Sequence, residues 1–300
     1  EGIRLGWGAI NANNTLVQGV RPFNDTGSEE FRDWLYSRGA SGLTPLPRSL
    51  DNIGQYFEDT SNSGPWSDDP LNGTSETPHA ECRQSFSIVM TDGFWNGSNP
   101  AVGDQDNEPG SLIVNDGPGN NFQYSPVEPF ADDQDNTLAD VAMKYWKRDL
   151  RSDLKNIVPN SKLNPAFWQH MVTYGVGLGV SGTVDPEDAF DAISDNSTID
   201  WGSVSNGPGK IDDLLHAAVN GRGGFFSASS PDVFALELGG ILKQIQARLE
   251  SSATAAAASS AVLNAGTNRF IARFRSDDWS GEVVSENIKT GTENWNAENV

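Results

Sequence analysis

Short apolar runs alternate along the chain with stretches of helical spacing. "IRLGWGAI" (residues 3–10) reads as a strand, and "SEEFRDWLYSRGA" (28–40) as a helix with Ser28 as its cap and acids in its first turn. A second helix is predicted over Leu46–Phe57, approached through "SGLTPL". After a loop rich in Ser, Asn, Gly and Pro, "SFSIVM" (85–90) reads as a buried strand that stops at Thr91-Asp92-Gly93. The Gly/Asn/Asp/Pro stretch from Asn96 to Asn136 is too long for a routine connection and reads as an insertion or functional loop. Helical spacing returns in "TLADVAMKYWKRDLRSDL" (137–154), and "HMVTYGVGLGV" (170–180) is a second buried strand. Beyond another polar loop come a helix, "IDDLLHAAVN" (211–220), a short strand, "GGFFSA" (223–228), and a long helix, "PDVFALELGGILKQIQARLESS" (231–252).

Strands alternating with helices predict an α/β domain over residues 1–250, with a mostly parallel sheet and helices on both faces. The Ala/Ser-rich tract 251–266 is either a linker or an extension of the last helix. From 267 to 300 the chain changes character: "RFIARFRSDDWSGEVVSENI" (269–288) alternates with period two, as the opening strands of a separate β domain.

Charge narrows the function classes. Twenty Lys and Arg stand against 41 Asp and Glu, a net charge of −21, which disfavours nucleic acid and anionic membranes and favours cations. Dispersed over a surface, the same acids are solvated side chains. No run of about 18 apolar residues predicts membrane insertion. Cys82 has no internal partner and, just before a core strand, reads as a small apolar residue. The first residue is Glu1, which fits a processed or excised chain. Sequons at Asn13, Asn24, Asn72, Asn96 and Asn196 are compatible with secretion, and also arise by chance in so Asn-rich a chain.

Candidate chemistry lies in loops. Asp92 closes an apolar strand, and open α/β sheets bind ligands at the carboxyl ends of their strands; an Asp-Gly pair also suits a tight turn. Thr44 sits where a loop meets a helix, with Pro45 at the first turn. Asp104, Asp106 and Glu108 resemble the opening of a calcium loop, but Pro109 stands where Gly is required and no Glu falls at the twelfth position, leaving either a loose cation clip or a solvated loop. Asp132 and Asp135 read as acids ahead of a helix cap or as further cation ligands. "GLGVSG" lacks the following helix of a nucleotide loop. His79, His170 and His216 are dispersed, the last two in core contexts. With one Cys and no Gly-x-Ser-x-Gly elbow, no nucleophile–base pair marks an enzyme. The aromatics of "FW" (94–95) and "WK" (146–147) read as core.

Taken together, the Gly42-Leu43-Thr44 loop and Thr91-Asp92-Gly93 resemble the von Willebrand factor A domain. That resemblance implies a metal-ion-dependent adhesion site in which a Mg²⁺ or Ca²⁺ ion, with Thr44 and Asp92 as direct or water-mediated ligands, keeps a position for a partner's carboxylate. The family's third loop, Asp-x-Ser-x-Ser, has one literal copy, Asp59–Ser63, but it follows a helix. Because "IRLGWGAI" matches the family's second strand, the genuine loop is expected upstream of Glu1, and cation binding by this chain alone is expected to be weak or absent. "CRQSFSIVMTDGFWNG", "TLADVAMKYWKRDLR", "WQHMVTYGVGLGV" and "KIDDLLHAAVNGRGGFFSA" resemble the PilC/PilY family of type IV pilus biogenesis proteins, and "ARFRSDDWSGEVVS" the segment opening that family's β-propeller. The resemblance implies a non-enzymatic, surface-exposed, outer-membrane-associated adhesion and assembly protein at the pilus tip. Its partners would be minor pilins and a host or surface receptor. The alternative is a metal-independent structural element docking onto minor pilins.

Overall fold

The computed structural model describes residues 3–11, 15–39, 41–117, 119–161, 163–205, 207–250, 255–258, 268–275, 280–287 and 293–297. Two compact units result: Glu1–Pro159 with Ala166–Phe234, and Asn160–Pro165 with Ala235–Val300.

The first unit opens with an antiparallel hairpin, β1 (Arg4–Gly8) and β2 (Leu16–Pro22), in which Arg4 faces Pro22 and Gly8 faces Leu16. Helix α1 (Asp25–Tyr36) follows. Its cap is Asn24, not Ser28: the extended Asn24 backbone lets Oδ1 accept the Gly27 amide at 3.0 Å, while the Ser28 amide is already committed to Asn24 O at 2.8 Å. Helix α2 (Leu46–Phe57) has the expected bounds, with Pro47 in its first turn.

A three-stranded parallel sheet carries this unit. Its order is β3 (Phe86–Thr91), β4 (Val172–Leu178), β5 (Arg222–Ala228), and α3 (Leu138–Trp146), α4 (Pro186–Asp195) and α5 (Pro208–Asn220) flank it. Central β4 is buried from Val172 to Gly177, which explains its unbroken apolar run. Helices α3 and α5 pack on each other and on β4 and feed two apolar clusters. One joins Leu46, Leu50 and Phe57 of α2 to Val141, Tyr145 and Leu214; the other surrounds Trp146, Trp168 and Trp201. At the α2–α3 crossing Gly54 lies flat on the Tyr145 ring, where a Cβ would collide with the aromatic carbons.

Helix α3 is shorter than its periodicity predicts. Past the Lys147 cap the backbone pairs sideways, Leu150 N donating to Gln169 O at 2.8 Å, and Arg151 is buried with its guanidinium on Asp153 and His79. Two other readings need correction. Cys82 is exposed, and of the "FW" pair only Trp95 is buried, Phe94 being 49 % exposed. His170 and His216 are buried as expected.

Helix α6 (Pro231–Glu250) leads out of the first unit and into the second. There an antiparallel meander runs β6 (Ala255–Ala258), β7 (Asn268–Arg275), β8 (Ser280–Asn287) and β9 (Glu293–Asn296). Part of the Ala/Ser-rich tract is thus a strand paired with β7 rather than linker or helix; the rest of it, like the Asn13 sequon, lies outside the described residues. Among the described residues no helix is long and apolar enough to cross a membrane.

Candidate metal and partner site

Thr91, the last residue of β3, is buried and turns the chain with its hydroxyl, which donates to Gly93 O at 2.8 Å and accepts from Gly93 N at 3.3 Å. Asp92 is thereby left exposed at the carboxyl end of the sheet. Asn96 then ties this loop to the one before α2: its Oδ1 accepts the Thr44 amide at 2.9 Å and its amide donates to Thr44 O at 3.0 Å. From α5, Lys210 Nζ donates to Trp95 O at 2.6 Å. Gly97, at φ +104°, lets the chain pass Pro45 at a distance a side chain would crowd. Among the described residues neither the Thr44 hydroxyl nor the Asp92 carboxylate makes a hydrogen bond, so this rim offers two oxygens of the kind hard cations take. Leu43 and Phe94, exposed by 62 % and 49 %, flank them.

A second group of acids is buried. Asp104 and Asp106, from the long loop, and Asp140, from the first turn of α3, each present a carboxylate oxygen within 4.8 Å of the others, an arrangement that could hold a metal ion. Asp140 closes a capping box: Oδ2 accepts the Thr137 amide and hydroxyl at 2.9 and 2.8 Å, and Oδ1 accepts Gln105 N at 2.5 Å. Asp106 Oδ1 accepts Asp132 N at 3.1 Å, and Oδ2 accepts Asn220 Nδ2 at 2.9 Å. Lys147 Nζ donates to Gln105 O and Glu108 O. Asp213 of α5 accepts the Leu138 and Ala139 amides, so α5 caps α3.

Burial disfavours charge on these acids. Together with the Asp140 charge, it raises Asp106 to about 9; burial also raises Asp140 to about 6 and Asp213 to about 7, against the hydrogen bonds each accepts. Asp132 is raised for the same reason. His216, stacked on Trp201 at 4.0 Å, is lowered to about 3 by burial. It is the neutral tautomer, with Nε2 donating to Phe130 O at 2.8 Å and Nδ1 3.6 Å from Asp132 Oδ2.

The sequence as a whole has relatives. The Type IV pilus biogenesis factor PilY1 of Pseudomonas aeruginosa strain UCBPP-PA14 is 34 % identical over 99 % of this chain and 28 % of its own length. The factor of the same name from strain PAK is 31 % identical over 100 % of this chain and 29 % of its own. The chain belongs to the PilC/PilY family. It spans less than a third of the length of these curated relatives. No family model and no solved structure matches it.

Within this PilC/PilY chain the predicted site residues fall into three groups. The Thr44 and Asp92 loops are joined through Asn96. Asp104 and Asp106 come together, with the Asp132 backbone against Asp106. Asp135 takes no part: it is exposed and accepts Asn136 Nδ2 at 2.9 Å. Asp140 and Asp213 read in the sequence as helix positions; the visible signal was the Thr137-x-x-Asp140 capping box, which places a carboxylate at the mouth of α3.

Proposed function

We propose that this segment is a non-enzymatic adhesion and assembly module of a type IV pilus-associated protein, with a von Willebrand factor A-like architecture. It engages its partner through a Mg²⁺ or Ca²⁺ ion at the carboxyl end of the sheet. The reading rests on the Asn96 clamp, which holds the Thr44 loop against the loop bearing exposed Asp92. The ion would take the Thr44 hydroxyl and the Asp92 carboxylate, leaving positions for a partner's oxygen. Minor pilins at the pilus tip and a receptor on a host or other surface are the partners such a site serves, at the bacterial cell surface.

Exposed Leu43 and Phe94 favour a second reading, in which the same rim docks onto minor pilins by apolar contact without metal. Pilin binding in Mg²⁺, in Ca²⁺ and in EDTA separates the two. Cation-dependent binding lost in Asp92→Ala and Thr44→Ala supports the first. Binding that survives EDTA and both substitutions, and fails in Leu43→Ser with Phe94→Ser, supports the second.

A further inference from the structure

The long loop between β3 and α3 also carries an acid group, and its surroundings are incompletely satisfied. Asp106 and Asp140 are fully buried, and Asp104 is half-buried. Lys147 spends its hydrogen bonds on two carbonyls of the loop, Gln105 O and Glu108 O, so neither bond falls on a carboxylate of the group. The amide of Asn220, also fully buried, lies against the group with Nδ2 on Asp106 Oδ2 at 2.9 Å and on Ala139 O at 3.4 Å, while its Oδ1 has no partner. An orphaned carbonyl oxygen in a fully buried position is unfavourable unless something occupies it. Half a turn about the last side-chain bond exchanges the two ends of this amide, gives up the longer bond to Ala139 O and aims Oδ1 at the Asp106 oxygen. Only a proton or a cation between the two oxygens makes that arrangement favourable.

We infer that Asp104, Asp106, Asp140 and the Asn220 carbonyl form a structural Ca²⁺ site that pins the long loop to the first turn of α3 and the last of α5. The donor set is all oxygen and includes three carboxylates, which selects a hard cation over zinc or copper. The three carboxylate oxygens lie within 4.8 Å of one another, inside twice a Ca–O distance of about 2.6 Å, so they can share one ion without rebuilding the backbone. This site is independent of the adhesion rim: it orders a loop and presents nothing to a partner.

The test is Ca²⁺ titration of the whole chain by calorimetry, with thermal unfolding followed in parallel. At this group one Ca²⁺ site is expected, apart from any ion taken by the rim, with an unfolding midpoint that rises with Ca²⁺ concentration. Half-exposed Asp104→Asn should weaken binding at this group at least tenfold and remove most of that rise, whereas Asp92→Asn, which touches only the rim, should leave the rise in place. Asn220→Ala, which deletes the orphaned oxygen, should weaken binding less than Asp104→Asn. Chymotrypsin cleavage within 96–136, at residues such as Leu112 and Phe122, should slow when Ca²⁺ is added to the parent chain and not to Asp104→Asn. Absence of Ca²⁺ binding in the parent overturns the site, as does equal affinity in parent and Asp104→Asn. Binding lost in Asp92→Asn and kept in Asp104→Asn would assign the ion to the rim and overturn it equally.

Discussion

The rim at the end of β3 and the acid group at the mouth of α3 are both built from carboxylates on loops, yet they solve opposite problems. At the rim a single neutral side chain, Asn96, holds two backbones together and Asp92 stays in water, where its charge costs nothing and is free to act. Under the loop the acids are themselves the fasteners: Asp140, Asp106 and Asp213 accept amides from Gln105, Asp132, Leu138 and Ala139, and bear the penalty of burial for it. One region leaves its carboxylate in solvent and the other uses carboxylates to order the fold.

The largest expected effect exploits that penalty. Asp106 and Asp213, raised to about 9 and about 7 from 3.8, retain protons in the folded chain that the unfolded chain has already lost, so stability falls as pH rises through the folded values. His216, lowered to about 3, acts only below its ordinary 6.5 and drops out above it. Between pH 6.5 and 8.5 in EDTA, urea unfolding should therefore show a loss on the order of 3 kcal/mol, at about 1.4 kcal/mol per unit for each proton of difference. A flat or rising profile would mean the acids are not buried as described.

Next is Asp213→Ala. It strips the acceptors from two buried amides and should cost about 2 kcal/mol at pH 6, read from the urea midpoint, with Asp213→Asn recovering part of the loss. Asn96→Ala should cost about 1 kcal/mol, and hydrogen exchange at the Thr44 amide should accelerate well beyond that at β4 amides. Smallest is Asp92→Ala, which should shift stability by no more than about 0.5 kcal/mol while abolishing any cation-dependent partner binding; a large destabilisation would place Asp92 among the fasteners.

Periodicity located α2, the three parallel strands and, of the helices that flank them, α3 and α5, because each buries one clear apolar face or run. β2, "LVQGVRP", carries Gly and Pro and gave no such signal. Helix α4 had its marks, an Asp185 cap with Pro186 and two acids in the first turn, but they sat in a stretch weighed only as a nucleotide loop. The Thr44 and Asp92 loops were legible as a helix entry and a strand end, and the structure joins them through Asn96. The buried group was half legible: Asp104 and Asp106 stood out as a cation-like pair, whereas Asp140 is brought to them across the long loop and Asp213 reaches α3 from about 75 residues away. Spacing along a chain does not encode such meetings; packing of α5 on α3 does.

That last contact bears on the order of assembly. The first four amides of α3 are divided between two sources: those of Asp140 and Val141 are taken by Thr137 next door, those of Leu138 and Ala139 by Asp213. A chain emerging from its amino end, from a ribosome or across a membrane, can close half of this helix start at once. The other half must wait with its amides open until residue 213 has arrived, so the α3 mouth is completed only after the strand between them, β4, has already passed.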